Sequence, residues 1–338
     1  MTRLFVIGNG FDMAHGLKTS FMDFKTYVIN RIKKSEDDEE KEKVKDVYLI
    51  LNLTEISYNL FYYTQESEVS NDWNHFENIL AHIGTLNNEN RFVKDDLFKD
   101  DLLKLDVLKD LLKIFTEWIN SIEVSSNKYS NIFKNDDIFL NFNYTETLEK
   151  NYKSIIQTNN INHIHTIKDG TNQFYHYGHD RDFNEVIKSP KLNNRMVNLF
   201  GINTKKDVEN IIKKEDQFFE ELKSKEINEI YFWGFSLSEV DKLYIKKIIK
   251  DNTNTIEKVF LCKHQFEKND REYYYDFLKN YNLENKLESF NDHLIDNKTM
   301  KPFKRFISAI VFCIFVYQGV RMILGLNEVV KSKNGSMN

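Results

Sequence analysis

Hydrophobic positions along the chain fall into blocks of two different periods. Leu4-Phe5-Val6-Ile7 is a continuous apolar run that ends at once in Gly8-Asn9-Gly10. Such a run, closed by a turn signal, predicts a buried strand entering a tight glycine turn. Comparable short runs recur at residues 137–142, 162–165, 173–177, 229–233 and 258–262, and the 229–233 run again meets a glycine, Gly234. Between these runs the period lengthens. Residues 21–32, 44–63 and 101–122 carry apolar side chains three and four apart, as in Leu102, Leu105, Leu108, Leu112 and Phe115, which predicts amphipathic helices. Residues 145–157, 205–225, 239–250 and 271–280 read as further helices. Strands alternating with helices predict an α/β fold, a Rossmann-like parallel sheet covered by helices on both faces. Residues 21–135 then form a large helical insertion after the first strand. The mixed-charge run 33–43 predicts a solvated helix or a mobile loop rather than an interaction tail.

Composition narrows the class. The 338 residues allow one large domain or two ordinary ones, and 41% hydrophobic with 29% charged residues support a real core. A net charge of −5 provides no global basic field, so no nucleic-acid partner is expected. The two cysteines, Cys262 and Cys313, lie far apart within apolar runs, which argues against a disulfide framework or a cysteine zinc site and fits a reducing, cytoplasmic setting. The chain opens directly on a core strand, with no signal-peptide pattern. Its other end differs. Residues 306–317 are apolar except for Ser308, and 306–326 as one span is long enough to cross a bilayer. Lys301, Lys304 and Arg305 on one side and Lys331 and Lys333 on the other set no orientation. The tail 301–338 therefore reads in three ways: a tether to the inner face of the cell membrane, a buried terminal element, or a contact in a homo-oligomer.

Four polar clusters fall at the ends of expected strands: Gly8-Asn9-Gly10-Phe11-Asp12; Asn141-Phe142-Asn143-Tyr144-Thr145; His163 and His165, followed by His176, Gly178, His179 and Asp180; and Gly234 to Asp241 with Ser236 and Ser238. Ligands of open parallel sheets bind beyond the carboxyl ends of the strands. A glycine turn there lets backbone N–H groups approach a phosphate, and a following helix adds its N-terminal dipole. The turn lacks the third glycine of the dinucleotide fingerprint, so a plain strand-to-helix turn stays open as the alternative. Thr145, Ser236 or Ser238 could equally cap helices, with Asp241 a first-turn carboxylate. His163 and His165, two apart on a strand, would share a face. One reading makes His165 a general base. The other joins His163, His165, His176, His179 and Asp180 in a metal site, but their spacing follows no recognised ligand pattern and no metal is expected.

The segments IGNGFDMAHGLKTSFMDF (7–24), NFNYTETLE (141–149), HIH (163–165), YGHD (177–180) and GFSLSEVDKLY (234–244) resemble the AbiH family of bacterial abortive-infection proteins, in the same order over roughly 5–250. That resemblance implies a role in phage resistance, with a phage trigger as a partner. More distantly, the same blocks resemble the SIR2-like NAD-binding fold, which would extend over residues 1–300 with NAD as substrate or ligand. The resemblance implies that Gly8, Asn9, Gly10 and Asp12 hold phosphate and ribose, that Asn143 orients the ribose or the attacking water, and that His165 is the acid/base group. Phe11, Tyr144, Thr145, Gly234, Ser236 and Asp241 would complete the nucleotide site. Two positions depart from that pattern. Thr145 stands where the SIR2-like turn usually has Asp, and Thr166 follows His165 where Gly is usual. The implied activity is cleavage of NAD at the nicotinamide–ribose bond. The departures favour an alternative, a non-catalytic nucleotide-binding sensor or effector that acts at the membrane through its tail. A His-dependent metallohydrolase is the third reading.

Overall fold

The computed structural model describes residues 1–61, 73, 105–124, 128–169, 172–175, 206–268 and 270–296. The chain divides into two compact units, Met1–Ser126 with Asn131–Asp292, and Asn127–Ser130 with His293–Asn338. In chain order the described elements begin with β1 (Thr2–Ile7), α1 (Asn9–Ala14), α2 (Phe21–Lys34), α3 (Asp38–Phe61) and α4 (Leu105–Ser121). There follow β2 (Lys128–Tyr129), β3 (Ile138–Asn141), α5 (Thr147–Tyr152), β4 (Ile161–His163) and a hairpin of β5 (Thr166–Asp169) and β6 (Asn172–Tyr175). Next come α6 (Val208–Lys214), α7 (Asp216–Ser224), β7 (Ile227–Trp233), α8 (Lys242–Asn252) and β8 (Lys258–Cys262). The last elements are α9 (Lys263–Phe266), α10 (Asp270–Lys279), β9 (Leu287–Phe290) and β10 (Ile295–Asp296). The second unit contains β2 and β10, paired antiparallel.

The first unit is built on a six-stranded sheet in the order β4-β3-β1-β7-β8-β9. Every neighbouring pair is parallel, so the expected Rossmann-like α/β sheet is present. The insertion is present too, as α2, α3 and α4 between β1 and β3. Alternation along the strands sorts the side chains by face. Leu4, Val6, Ile138, Leu140, Ile230, Phe232, Val259 and Leu261 belong to one buried core, together with residues of α6, α7, α8 and α10 such as Phe219, Ile248 and Tyr274. The alternate positions form an aromatic ladder across four strands. Phe139 stacks on Phe5 at 5.5 Å, Phe5 on Tyr231 at 4.5 Å, and Tyr231 on Phe260 at 4.5 Å, each pair directly opposite in register. Cross-strand aromatic pairs of this kind stabilise a sheet beyond their burial.

The helical insertion has its own core. Phe24 and Val28 of α2 pack with Val44, Val47 and Ile50 of α3 and with Leu111, Phe115 and Trp118 of α4. A capping box opens α2: Ser20 Oγ accepts from the Asp23 N–H and the Asp23 carboxylate accepts from the Ser20 N–H. Arg31 then bonds Glu40 and Glu117, tying α2 to α3 and α4.

Several element ends differ from expectation. The charged run 33–43 is mostly the end of α2 and the start of α3. Residues 205–225 break at Glu215 into two helices. Helix α5 begins at Thr147, and strand β4 stops at His163, which leaves His165 in the turn beyond it. Among the described residues no helix is long and apolar enough to cross a membrane, and the tail 306–326 lies outside the described residues.

Candidate functional site

Strand β1 sits at the point where the chain changes direction across the sheet. From β1 it steps outward through β3 to β4, then returns to the other side of β1 and continues through β7, β8 and β9. The loops at the carboxyl ends diverge there and leave a crevice. A cavity of about 220 Å³ fills it. All four expected clusters line this cavity: Gly8, Asn9, Gly10 and Asp12 after β1; Asn143, Tyr144 and Thr145 after β3; His165 after β4; Gly234, Ser236 and Asp241 after β7. Trp73, Trp118 and Ile119 add an apolar wall from the helical insertion. Phe11 is fully buried and does not line the cavity; its ring lies edge-on to Trp233 at 5.0 Å.

The glycines of the first and fourth clusters press against each other. A Cβ on Gly8 would lie 2.5 Å from Gly234 O, and one on Gly10 would lie 2.6 Å from Gly234 Cα. Gly234 itself has φ +65°, and its Cβ would meet Phe11 N at 2.3 Å. Backbone bonds seal the contact: the Gly8 N–H donates to Trp233 O and the Gly10 N–H to Gly234 O, both at 3.0 Å. These residues are therefore glycine because two turns share one space. The N–H groups of Gly8 and Gly10, expected to face a phosphate, bond within the protein. Gln265 holds the Gly234 turn from below, accepting from the Gly234 N–H at 2.8 Å and donating to Phe235 O at 2.9 Å.

Asp12 is the acidic wall of the cavity and is 1% exposed. Its Oδ2 accepts from the Thr145 hydroxyl at 2.6 Å, and Thr145 shares a second bond with Thr147 at 2.8 Å. Its Oδ1 is buried with no hydrogen-bond partner among the described residues. Burial pushes the carboxyl up to about 6; the Thr145 hydrogen bond and the nearby polar side chains of Thr147 and Asn143 pull the other way, and the charge of Glu149 adds to the rise. Thr145 thus serves Asp12 and does not cap α5, whose N-cap position is taken by Glu146 without a side-chain bond. Asn143 is fixed at both ends, its N–H donating to Asn141 Oδ1 at 2.9 Å and its Nδ2 to Gly8 O at 3.0 Å.

His163 and His165 do not share a face. His163 pairs with Glu149, while His165, two residues past it in the turn, lines the cavity. The His165 ring is held edge-on by Phe142 at 5.0 Å, and its Nε2 stands 3.2 Å from Asp241 Oδ1. The same Oδ1 takes the Lys206 ammonium at 2.9 Å, and Asp241 Oδ2 accepts from Ser238 Oγ at 3.2 Å. Burial works to raise the Asp241 carboxyl, but the charge of Lys206, and that of His165 once its ring is protonated in acid, outweigh it and hold the group well below the usual carboxylate range. Asp241 stands at the N-cap of α8 without capping it; its side chain faces Lys206 and His165 instead. Lys206 was not foreseen, because no motif marks one lysine among many and its partner lies 35 residues away. Trp73 and Trp118 were also missed, since apolar residues at helical spacing read as core.

Among the described residues no group of three or more His, Cys, Asp or Glu side chains is placed to hold a metal ion; His176, His179 and Asp180 lie outside them. No curated protein and no solved structure matches the chain. The family model described as bacteriophage abortive infection AbiH matches residues 4–261, a stretch that takes in all four loops of the cavity. The chain accordingly belongs to the AbiH family of bacteriophage abortive infection proteins.

Proposed function

We propose that this abortive-infection protein acts by cleaving NAD at the nicotinamide–ribose bond within the cavity at the β1/β7 switch point. The observation that carries this reading is the buried Asp12 carboxylate, one oxygen without a hydrogen-bond partner among the described residues, across a cavity that also holds His165. At neutral pH a carboxyl with a pKa of about 6 is mostly ionised, so the cavity presents a fixed negative charge to its occupant. Nicotinamide in NAD is a cationic ring, and the charge moves onto the ribose as the bond breaks. A carboxylate placed there before the reaction stabilises that charge without reorganisation.

The bond electrons leave with nicotinamide, which departs neutral. Water attacks the ribose carbon and its proton passes to His165. Asn143, pinned to Gly8 O and Asn141, supports the turn that brings Asp12 and Thr145 together. Trp118 and Trp73 offer aromatic surface to a flat ring. A space of about 220 Å³ suits the nicotinamide-riboside end alone, being smaller than the roughly 300–1,000 Å³ of typical small-molecule sites. A second reading, nucleotide binding without cleavage, draws support from Thr145, a hydroxyl where the SIR2-like pattern has a carboxylate.

The test is cellular NAD during phage infection, with wild-type protein and with His165→Ala. The proposal expects NAD to collapse with the wild type only, and protection to disappear with the variant. Protection with steady NAD would overturn cleavage and leave the binding reading.

A further inference from the structure

Lys206 has no place in the reaction as drawn, yet among the described residues it is one of the most enclosed charges. Its side chain is 0% exposed, and the ammonium sits 2.9 Å from Asp241 Oδ1. That oxygen is also the one facing His165 Nε2, at 3.2 Å. One carboxylate oxygen therefore lies between a lysine and a histidine. A lone buried Asp beside His165 would draw a proton onto the ring, because an unpaired charge in this setting is costly. With the Lys206 ammonium already in place, Asp241 is neutralised and the ring need not be charged.

We infer that Lys206 is a positioning residue that keeps His165 unprotonated at rest, by satisfying Asp241 while Asp241 orients the imidazole. The surroundings are consistent with this division of labour. Phe142 packs edge-on against the ring, and Tyr144 and Tyr244 approach it with centroids at 5.8 and 6.5 Å. Asp12 lines the same cavity. Ser238 fixes the far side of Asp241, accepting the Asp241 N–H at 3.1 Å and donating to Oδ2. Asp241 can then meet Lys206 and His165 with one oxygen only. A histidine held neutral is a base from the outset, whereas one ion-paired to a carboxylate must first lose its proton.

The inference deepens the proposed role of His165 as a base and rests on that reading for its purpose, but its test needs no turnover. Full-length protein labelled at histidine nitrogen would be titrated from about pH 5 to 9, the His165 ring signals being assigned by their loss in His165→Gln. In Lys206→Met the titration midpoint of His165 is expected to rise by about one to three pH units, the usual effect of altering a charge at this range. In Asp241→Asn, which leaves the ammonium without its carboxylate, the midpoint is expected to fall. Lys206→Arg should stay near the wild type. Should Lys206→Met not fold, Lys206→Gln removes the same charge with a polar side chain and carries the same expectation. A midpoint unchanged in either variant would overturn the inference. Shifts of the expected sign in a protein that does not cleave NAD would uphold it and refute the proposed reaction instead.

Discussion

Replacing Asp12 with asparagine is expected to stabilise the protein at neutral and alkaline pH while removing the proposed NAD cleavage. The carboxyl holds its proton more tightly in the folded chain than in the unfolded one, about 6 against 3.8. The unfolded state therefore loses its proton first as pH rises, and ionising the folded carboxyl costs stability. That cost is absent well below pH 4, grows between the two values and is complete above about pH 6. A difference of some two pH units, at about 1.4 kcal/mol each, puts it at about 3 kcal/mol. Asparagine has nearly the same shape and its Oδ1 accepts the Thr145 hydroxyl, so the variant escapes the cost and loses little packing. Urea denaturation of wild type and Asp12→Asn at pH 8, 5 and 4 measures it. The variant should be more stable by about 3 kcal/mol at pH 8, by roughly half that at pH 5 and by little at pH 4. A variant less stable at pH 8, or an advantage that does not vary with pH, would refute the account of Asp12 as a strained anion. Groups destabilised in this way commonly trade stability for function.

Thr145→Val keeps the shape of the side chain and removes the donor to Asp12; the carboxyl should rise further, and the acid limb of any activity should move to higher pH by about one unit, read from a pH–rate profile. Gly234→Ala forces a Cβ into a position with φ +65° and 2.3 Å from Phe11 N. It should cost at least about 2 kcal/mol in thermal or urea unfolding, and Gly10→Ala should behave similarly, because no flexible side chain stands in the way that could move aside.

Much of this fold is legible in the amino-acid order because its central strands are covered on both faces and so read as unbroken apolar runs, as Leu4 to Ile7 does. Edge strand β9 is not legible for the converse reason: in Leu287-Glu288-Ser289-Phe290 the two middle residues are exposed and break the run. The four clusters of the site are recognisable because polar residues directly after a strand have few other reasons to be there. Their pairings are not. Thr145 looks like a helix cap in isolation, and its attachment to Asp12 follows only from the parallel pairing of β1 with β3. The paired glycines at 8 and 10 suggest a ligand, while the close approach that requires them involves Gly234, more than two hundred positions away. Lys206 is the extreme case, since its meaning lies wholly in the carboxylate that folding brings to it.

The cavity is walled by two bodies of packed side chains that do not merge. Its polar groups stand on loops of the sheet, whose core is one cluster, while Trp118 and Ile119 belong to the other, inside the helical insertion. Stability is not uniform across such a structure, and separately packed regions can open one at a time. Loosening of the helical layer would strip the aromatic wall from the site and let water in while the sheet stayed folded. In a member of an abortive-infection family, that arrangement separates being folded from having a closed site: the sheet is held by one core, and the aromatic wall of the cavity by the other.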